Sequence, residues 1–143
     1  MEVQVEIDSV NGVRFDVSAR NHRITCDQPP ENRGTDAGLT PPELLLASLG
    51  TCSAYYAAEY LRARNLDAQT LRVRVSATKE IKPARLSNFL ISIDAPACKD
   101  ERQREGLLRA ARNCLIHNTL LHVPSIEIEL KQKEPAYAAV SVS

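Results

Sequence analysis

The 143-residue sequence predicts an α+β fold: strands, one long helix, two more strands, a second helix and a last strand, in that order. Three observations carry this. Apolar and polar residues alternate with period two from Glu2 onward, a charge-free helical stretch opens at Thr40-Pro-Pro-Glu43, and two further alternating runs precede apolar positions at helical spacing from Leu107 to Leu115.

Val3, Val5 and Ile7 alternate with Glu2, Gln4, Glu6 and Asp8, the pattern of a half-buried strand over 2–8, and Asn11-Gly12 is a favoured two-residue hairpin turn. Val13, Phe15 and Val17 continue the alternation, and His22 to Cys26 adds a third strand, so residues 1–26 form the N-terminal strands. Residues 27–40 are rich in Pro, Asn, Gly and Asp without periodicity and read as a loop long enough to carry function. Thr40 then caps a helix over 41–64, with prolines where missing N–H groups cost nothing and Glu43 completing a capping box. Its first half, Leu44 to Cys52, has no charge and is expected to be buried nearly all round, while Glu59, Arg62 and Arg64 turn the second half to solvent. Ala47, Ser48, Gly50, Ala54, Ala57 and Ala58 keep its surface thin enough for a close neighbour, in the same chain or another.

Residues 69–95 hold two strands joined through Pro83, one alternating at Leu71, Val73, Val75 and Ala77, the other at Phe89, Ile91 and Ile93. Asp100 can cap a second helix over 100–117, which places Cys114 inside the helix facing the core. Ile126, Ile128 and Leu130 give a final strand over 125–131, and 135–143 form a loose tail.

The chain fits one domain. Its 18 basic and 18 acidic residues are interspersed, which argues against nucleic acid or a membrane surface as partner, and no segment approaches the roughly 18 apolar residues of a membrane span. The N-terminus has no signal-peptide pattern, so a cytoplasmic location is expected. Four scattered cysteines are too few for a secreted disulfide framework and are expected to be reduced at rest. No Cys-x-x-Cys is present, and Cys114-x-x-His117 would need two more ligands from elsewhere, so neither a metal nor another cofactor is expected.

Cys52 and Cys114 stand in apolar surroundings where a small hydrophobe would serve. If the fold joins them, one thiol can attack an oxidant and the other can trap the sulfenic acid as a disulfide. Their contexts, Gly38-Leu-Thr-Pro-Pro-Glu-Leu-Leu-Leu-Ala-Ser-Leu-Gly-Thr-Cys52 and Asn113-Cys-Leu-Ile-His-Asn-Thr-Leu120, followed by Ile126-Glu-Ile-Glu-Leu130, resemble the OsmC/Ohr family of osmotically inducible and organic hydroperoxide resistance proteins over nearly the whole chain. The resemblance implies two intertwined chains with the cysteine helices at the dimer centre against antiparallel sheet. It also implies reduction of organic hydroperoxides by a reactive Cys52 and a resolving Cys114, with an external dithiol as reductant.

Cys52 lies 12 residues past the Thr40 cap (52 minus 40), about 18 Å along the axis, beyond reach of that helix's N-terminal dipole. Burial raises a thiol pKa, and at the ordinary value of roughly 8.5 only about 3% is thiolate at pH 7, so a cation is expected to activate it. The resemblance implies an arginine from the N-terminal region, and Arg33, Arg20 and Arg23 are the candidates. In the hydroperoxidase branches the carboxylate holding that arginine lies ten residues before the cysteine, where this chain has Pro42; Glu43, nine before, is either anchor or cap. Cys26 and Cys98 read as bystanders. His117 is a base for Cys114 or a hydrogen-bonding residue at a helix end, Tyr55 and Tyr56 are cleft or core, and Glu59 is a second acid on the Cys52 face. Two function classes follow: a dimeric thiol peroxidase for organic hydroperoxides, or a binding protein for apolar small molecules whose cysteines are small buried hydrophobes. A redox sensor is a third.

Overall fold

The structure is a computed structural model and describes residues 1–131. Strands β1 (Glu6–Asn11), β2 (Arg14–Ala19) and β3 (His22–Cys26) form an antiparallel meander, in which Val17 pairs with Ile7 on one side and with Ile24 on the other. The first turn falls one residue later than expected. Asn11 is still paired, to Arg14, and the loop is Gly12-Val13, because Gly12 supplies the positive φ of 57° that the first loop position of the hairpin requires.

Residues 27–39 are held to β3 at both ends. Cys26 bridges Leu39, and the Asp27 N–H donates to the Leu39 carbonyl at 3.2 Å. The Asp27 carboxylate is buried and accepts from Gln28 N (2.8 Å), Thr35 N (3.2 Å), Thr35 Oγ1 (2.8 Å) and Ala37 N (3.0 Å). One side chain thus ties down a loop that has no periodic core of its own. A short 3-10 turn at Pro30–Asn32 lies inside it.

Helix α1 runs Pro41–Ala63 with the expected capping box at Thr40 and Glu43. It lies on β4 (Arg72–Ile81), which pairs antiparallel with β5 (Ala84–Asp94). A Cβ at Gly50 would sit 2.7 Å from Val75 Cγ2, so only glycine lets the helix come down to the strand there. Ala57 and Leu61 of α1 pack with Cys98 and with Leu107 of α2 (Glu101–Arg112) into the core, flanked by Tyr60, Leu66, Leu71 and Ile93. Cys98 is a core residue in the β5–α2 loop, and Cys26 is buried at the end of β3.

Two elements differ from the sequence expectation. The second helix breaks at Asn113, and α3 (Leu115–Leu121) starts afresh with Cys114 as its N-cap, so Cys114 is buried as expected but sits at a helix junction. Apolar spacing runs on through the break and hides it; Asn113, whose N–H returns to the Ala110 carbonyl, and the Cys114 cap are what make it. Residues 125–131 join no ladder, and Ile126, Ile128 and Leu130 are exposed, so the alternation there has no partner strand among the described residues. The charge-free half of α1 is likewise not buried all round: Leu45, Ala47 and Thr51 are open to solvent. The 135–143 tail lies outside the described residues.

Candidate thiol site

The break between α2 and α3 sets the site. A helix leaves its first backbone N–H groups without intrahelical partners. In α3 these belong to Leu115 and Ile116, and both donate to the Cys52 sulfur, which α1 carries past them as a half-buried side chain. The Cys114 thiol, fully buried, makes the third hydrogen bond to Cys52. Cys114 Sγ in turn accepts from the His117 N–H at 3.3 Å, the bond that caps α3. Both cysteines are free thiols.

The two sulfurs are pushed apart in acidity. Burial drives the Cys52 pKa up, but the hydrogen bonds from the Cys114 thiol and from the Ile116 and Leu115 amides outweigh it and leave the pKa below its ordinary value. For Cys114, burial raises the pKa, donation to Cys52 raises it further, and the His117 amide offsets this only in part. The acidic thiol is therefore Cys52 and the proton stays on Cys114.

The other sequence candidates lie elsewhere. Glu43 Oε1 accepts from Thr40 N (3.0 Å) and Thr40 Oγ1 (2.7 Å), and Lys79 is the cation that acts on it; it lies nine residues, about 13.5 Å along the helix, before Cys52. These hydrogen bonds, with the Lys79 charge, lower its pKa. Arg33 ends the 3-10 turn at φ 69°, Arg20 sits in the β2–β3 turn at φ 55°, and Arg23 is 3.9 Å from Asp16. Among the described residues of one chain, no cation contributes to the Cys52 environment. Glu59 pairs with Arg62 at 2.8 Å, and Tyr55 meets Tyr56 edge to face.

Beside the thiols, α1, β5, α2 and α3 enclose a cavity of about 650 Å³. Its wall is apolar, with Leu45, Leu49, Phe89 and Ile91 among its residues, and its polar side chains are Ser53, His117 and Arg112. Sequence reasoning missed Ser53 and the Leu115 and Ile116 amides. Asn113 directly before Cys114 was the available signal for the amides; for Ser53 it was a hydroxyl adjoining a charge-free apolar run. No group of three or more His, Cys, Asp or Glu converges among the described residues, and no helix among them is long and apolar enough to cross a membrane.

The family described as OsmC-like protein matches residues 34–129. No curated protein matches significantly. Among solved structures, a Psychrobacter arcticus protein named for osmotic stress induction and a detoxification response is similar at TM-score 0.75 and 20% identity, over 83% of this chain and 88% of that one. An OsmC-like protein from Mycoplasma pneumoniae gives 0.68 and 21%, over 86% and 89%. An OsmC-like hydroperoxide resistance protein from Jannaschia gives 0.54 and 18%, over 92% and 93%. At these identities the structures speak for the fold, which is α+β with antiparallel sheets and three helices, while the family match spans both cysteines and the helices that carry them. The chain belongs to the OsmC-like family.

Proposed function

We propose that this protein is a thiol-dependent peroxidase that reduces organic hydroperoxides to alcohols. The observation that carries the reading is the unequal thiol pair: Cys52, made acidic by three hydrogen bonds, against a Cys114 that keeps its proton. The Cys52 thiolate attacks the distal peroxide oxygen, the O–O bond breaks, and the alkoxide leaves and is protonated to the alcohol. Cys52 is then a sulfenic acid. The Cys114 sulfur attacks it, forming the disulfide and releasing water, and an external dithiol reduces the disulfide while becoming oxidised itself. Membership of a family with a hydroperoxide resistance protein among its structural relatives supports this reading. Arg33, at its clamped loop, is the first candidate to add a cation to Cys52 in an assembled dimer, ahead of Arg20 and Arg23.

The test is stoichiometric. Reduced protein treated with one equivalent of cumene hydroperoxide is expected to lose two thiols and gain a Cys52–Cys114 disulfide by peptide mapping, and Cys52→Ser to lose neither. Thiols that persist in the parent, or a Cys52→Ser variant that consumes peroxide like the parent, would sink the proposal. The apolar cavity beside the pair favours a second reading, a binding protein without turnover; a Cys52 inert to iodoacetamide at neutral pH would single it out.

A further inference from the structure

Closing a Cys52–Cys114 disulfide requires a destination for one proton. In the reduced protein the Cys114 thiol donates to the Cys52 sulfur. Once Cys52 is oxidised, that sulfur is no longer an anion able to hold the proton, and Cys114, at 0% exposure, has no water at hand to take it. A thiol attacks as its thiolate, so an acceptor has to stand beside Cys114.

The first turn of α3 supplies one. Cys114 is its N-cap and His117 its third residue, the two positions that face each other in a capping box. There the cap side chain accepts from the amide three residues on, here at 3.3 Å, and the side chain of that later residue reaches back toward the cap. Within α3 only Ile116 and His117 are half-buried, so His117 belongs to the inward face, and it lines the cavity beside the thiols.

The other groups around that cavity do not compete. The residues that α1 and β5 contribute to its wall carry no titratable side chain, and from α2 the titratable one is Arg112, whose guanidinium offers donors and no acceptor. His122, at the far end of α3, is exposed, with its Nδ1 2.9 Å from the Asn118 carbonyl, and Glu59 is exposed and paired with Arg62. An imidazole takes up and returns a proton near neutral pH.

We propose that His117 is the proton acceptor of the resolving step. Its ring takes the proton as the Cys114 S–H bond breaks and the S–S bond forms. The S–O bond of the Cys52 sulfenic acid breaks, and the departing hydroxide takes the proton from the imidazolium and leaves as water. The role deepens the peroxidase reading and rests on it for the sulfenic acid, but the same proton must leave Cys114 whatever group Cys52 carries.

A hydroperoxide is therefore not needed for the test. One equivalent of 2,2′-dithiodipyridine per reduced chain forms a mixed disulfide at Cys52 and releases one thiopyridone; attack by Cys114 then releases the second. The parent is expected to give both, and Cys114→Ser only the first. His117→Gln keeps the amide that caps α3, and glutamine suits that position of the turn, yet its second release should be about 100-fold slower at pH 7, the low end of what a positioned base contributes. Its release should recover as pH rises and Cys114 ionises unaided, so its profile lies at higher pH than the parent's, and added imidazole should speed the second release of His117→Ala. A second release in His117→Gln as fast as the parent's, or slower by one factor at every pH, or absent from the parent, would overturn the assignment. Hydroperoxide turnover, measured separately, isolates the two ideas: no turnover with closure still dependent on His117 removes only the peroxidase, and turnover with closure indifferent to His117 removes only this role.

Discussion

At Cys52 and Cys114 two chemically identical groups are made unequal by the hydrogen bonds around them. The Cys114 thiol and the first-turn amides of α3 favour the thiolate at Cys52, while burial and the bond to Cys52 hold the proton on Cys114, against the His117 amide. Sequence reasoning looked for a cation because the dipole of α1 is too distant; it did not see that a second helix starts at the thiol. The pH dependence follows with a definite sign. Three donors favour the Cys52 thiolate, so its iodoacetamide alkylation should have a midpoint below that of an unperturbed cysteine thiol. Cys114→Ala removes one donor and should move that midpoint upward. A parent midpoint at or above that of a model cysteine peptide measured alongside, or one that Cys114→Ala leaves in place, would show that these hydrogen bonds do not govern the acidity.

Among the elements, the 27–39 loop shows how a segment without periodicity is ordered by one carboxylate. The hydrogen bonds from the Ala37 and Gln28 amides, then from Thr35, lower the Asp27 pKa from 3.8 to about 2. The folded-state pKa is depressed, so the unfolded chain takes up the proton first as pH falls. The stability that this group contributes is therefore present above pH 3.8 and lost as pH drops through about 2. Urea unfolding between pH 4 and 2 should show the parent losing more stability across that window than Asp27→Asn; equal losses would remove Asp27 as the source. The loop was legible as a loop, but not as a clamped one, because its bonds join Asp27 to residues 8 and 10 positions away and need the fold to bring them together. The strands of the meander, α1 with its capping box and the β4–β5 pair were legible because period and cap chemistry are local signals. The α2–α3 break was not, since helical spacing of apolar residues continues across it.

For the whole molecule, the apolar surface left open by one chain is the main fact. The β1–β3 sheet makes no substantial contact with the helices or with β4–β5. Ile7, Tyr55, Leu90 and the Ile126, Ile128 and Leu130 row face solvent, Ile128 at 95% exposure. Large apolar residues left exposed in this number are expected at an interface, and we propose a self-complementary pair of chains as the simplest closed solution. Light scattering on a sizing column should return twice the chain's 15.8 kDa; a monomer at micromolar concentration would remove the dimer from the proposal. The long charge-free stretch of α1 was read as buried, and a second chain is what would bury it.

Cys114 has a narrower choice of residue than either of its tasks alone would impose. Its sulfur begins α3 by accepting the His117 amide, and it also stands against Cys52. Serine caps helices well but cannot close a disulfide; alanine or valine fills an apolar site but can do neither. Only cysteine satisfies the fold and the chemistry together, so a drift at this position away from thiol chemistry would be expected to settle on serine, leaving the architecture standing after the activity had gone.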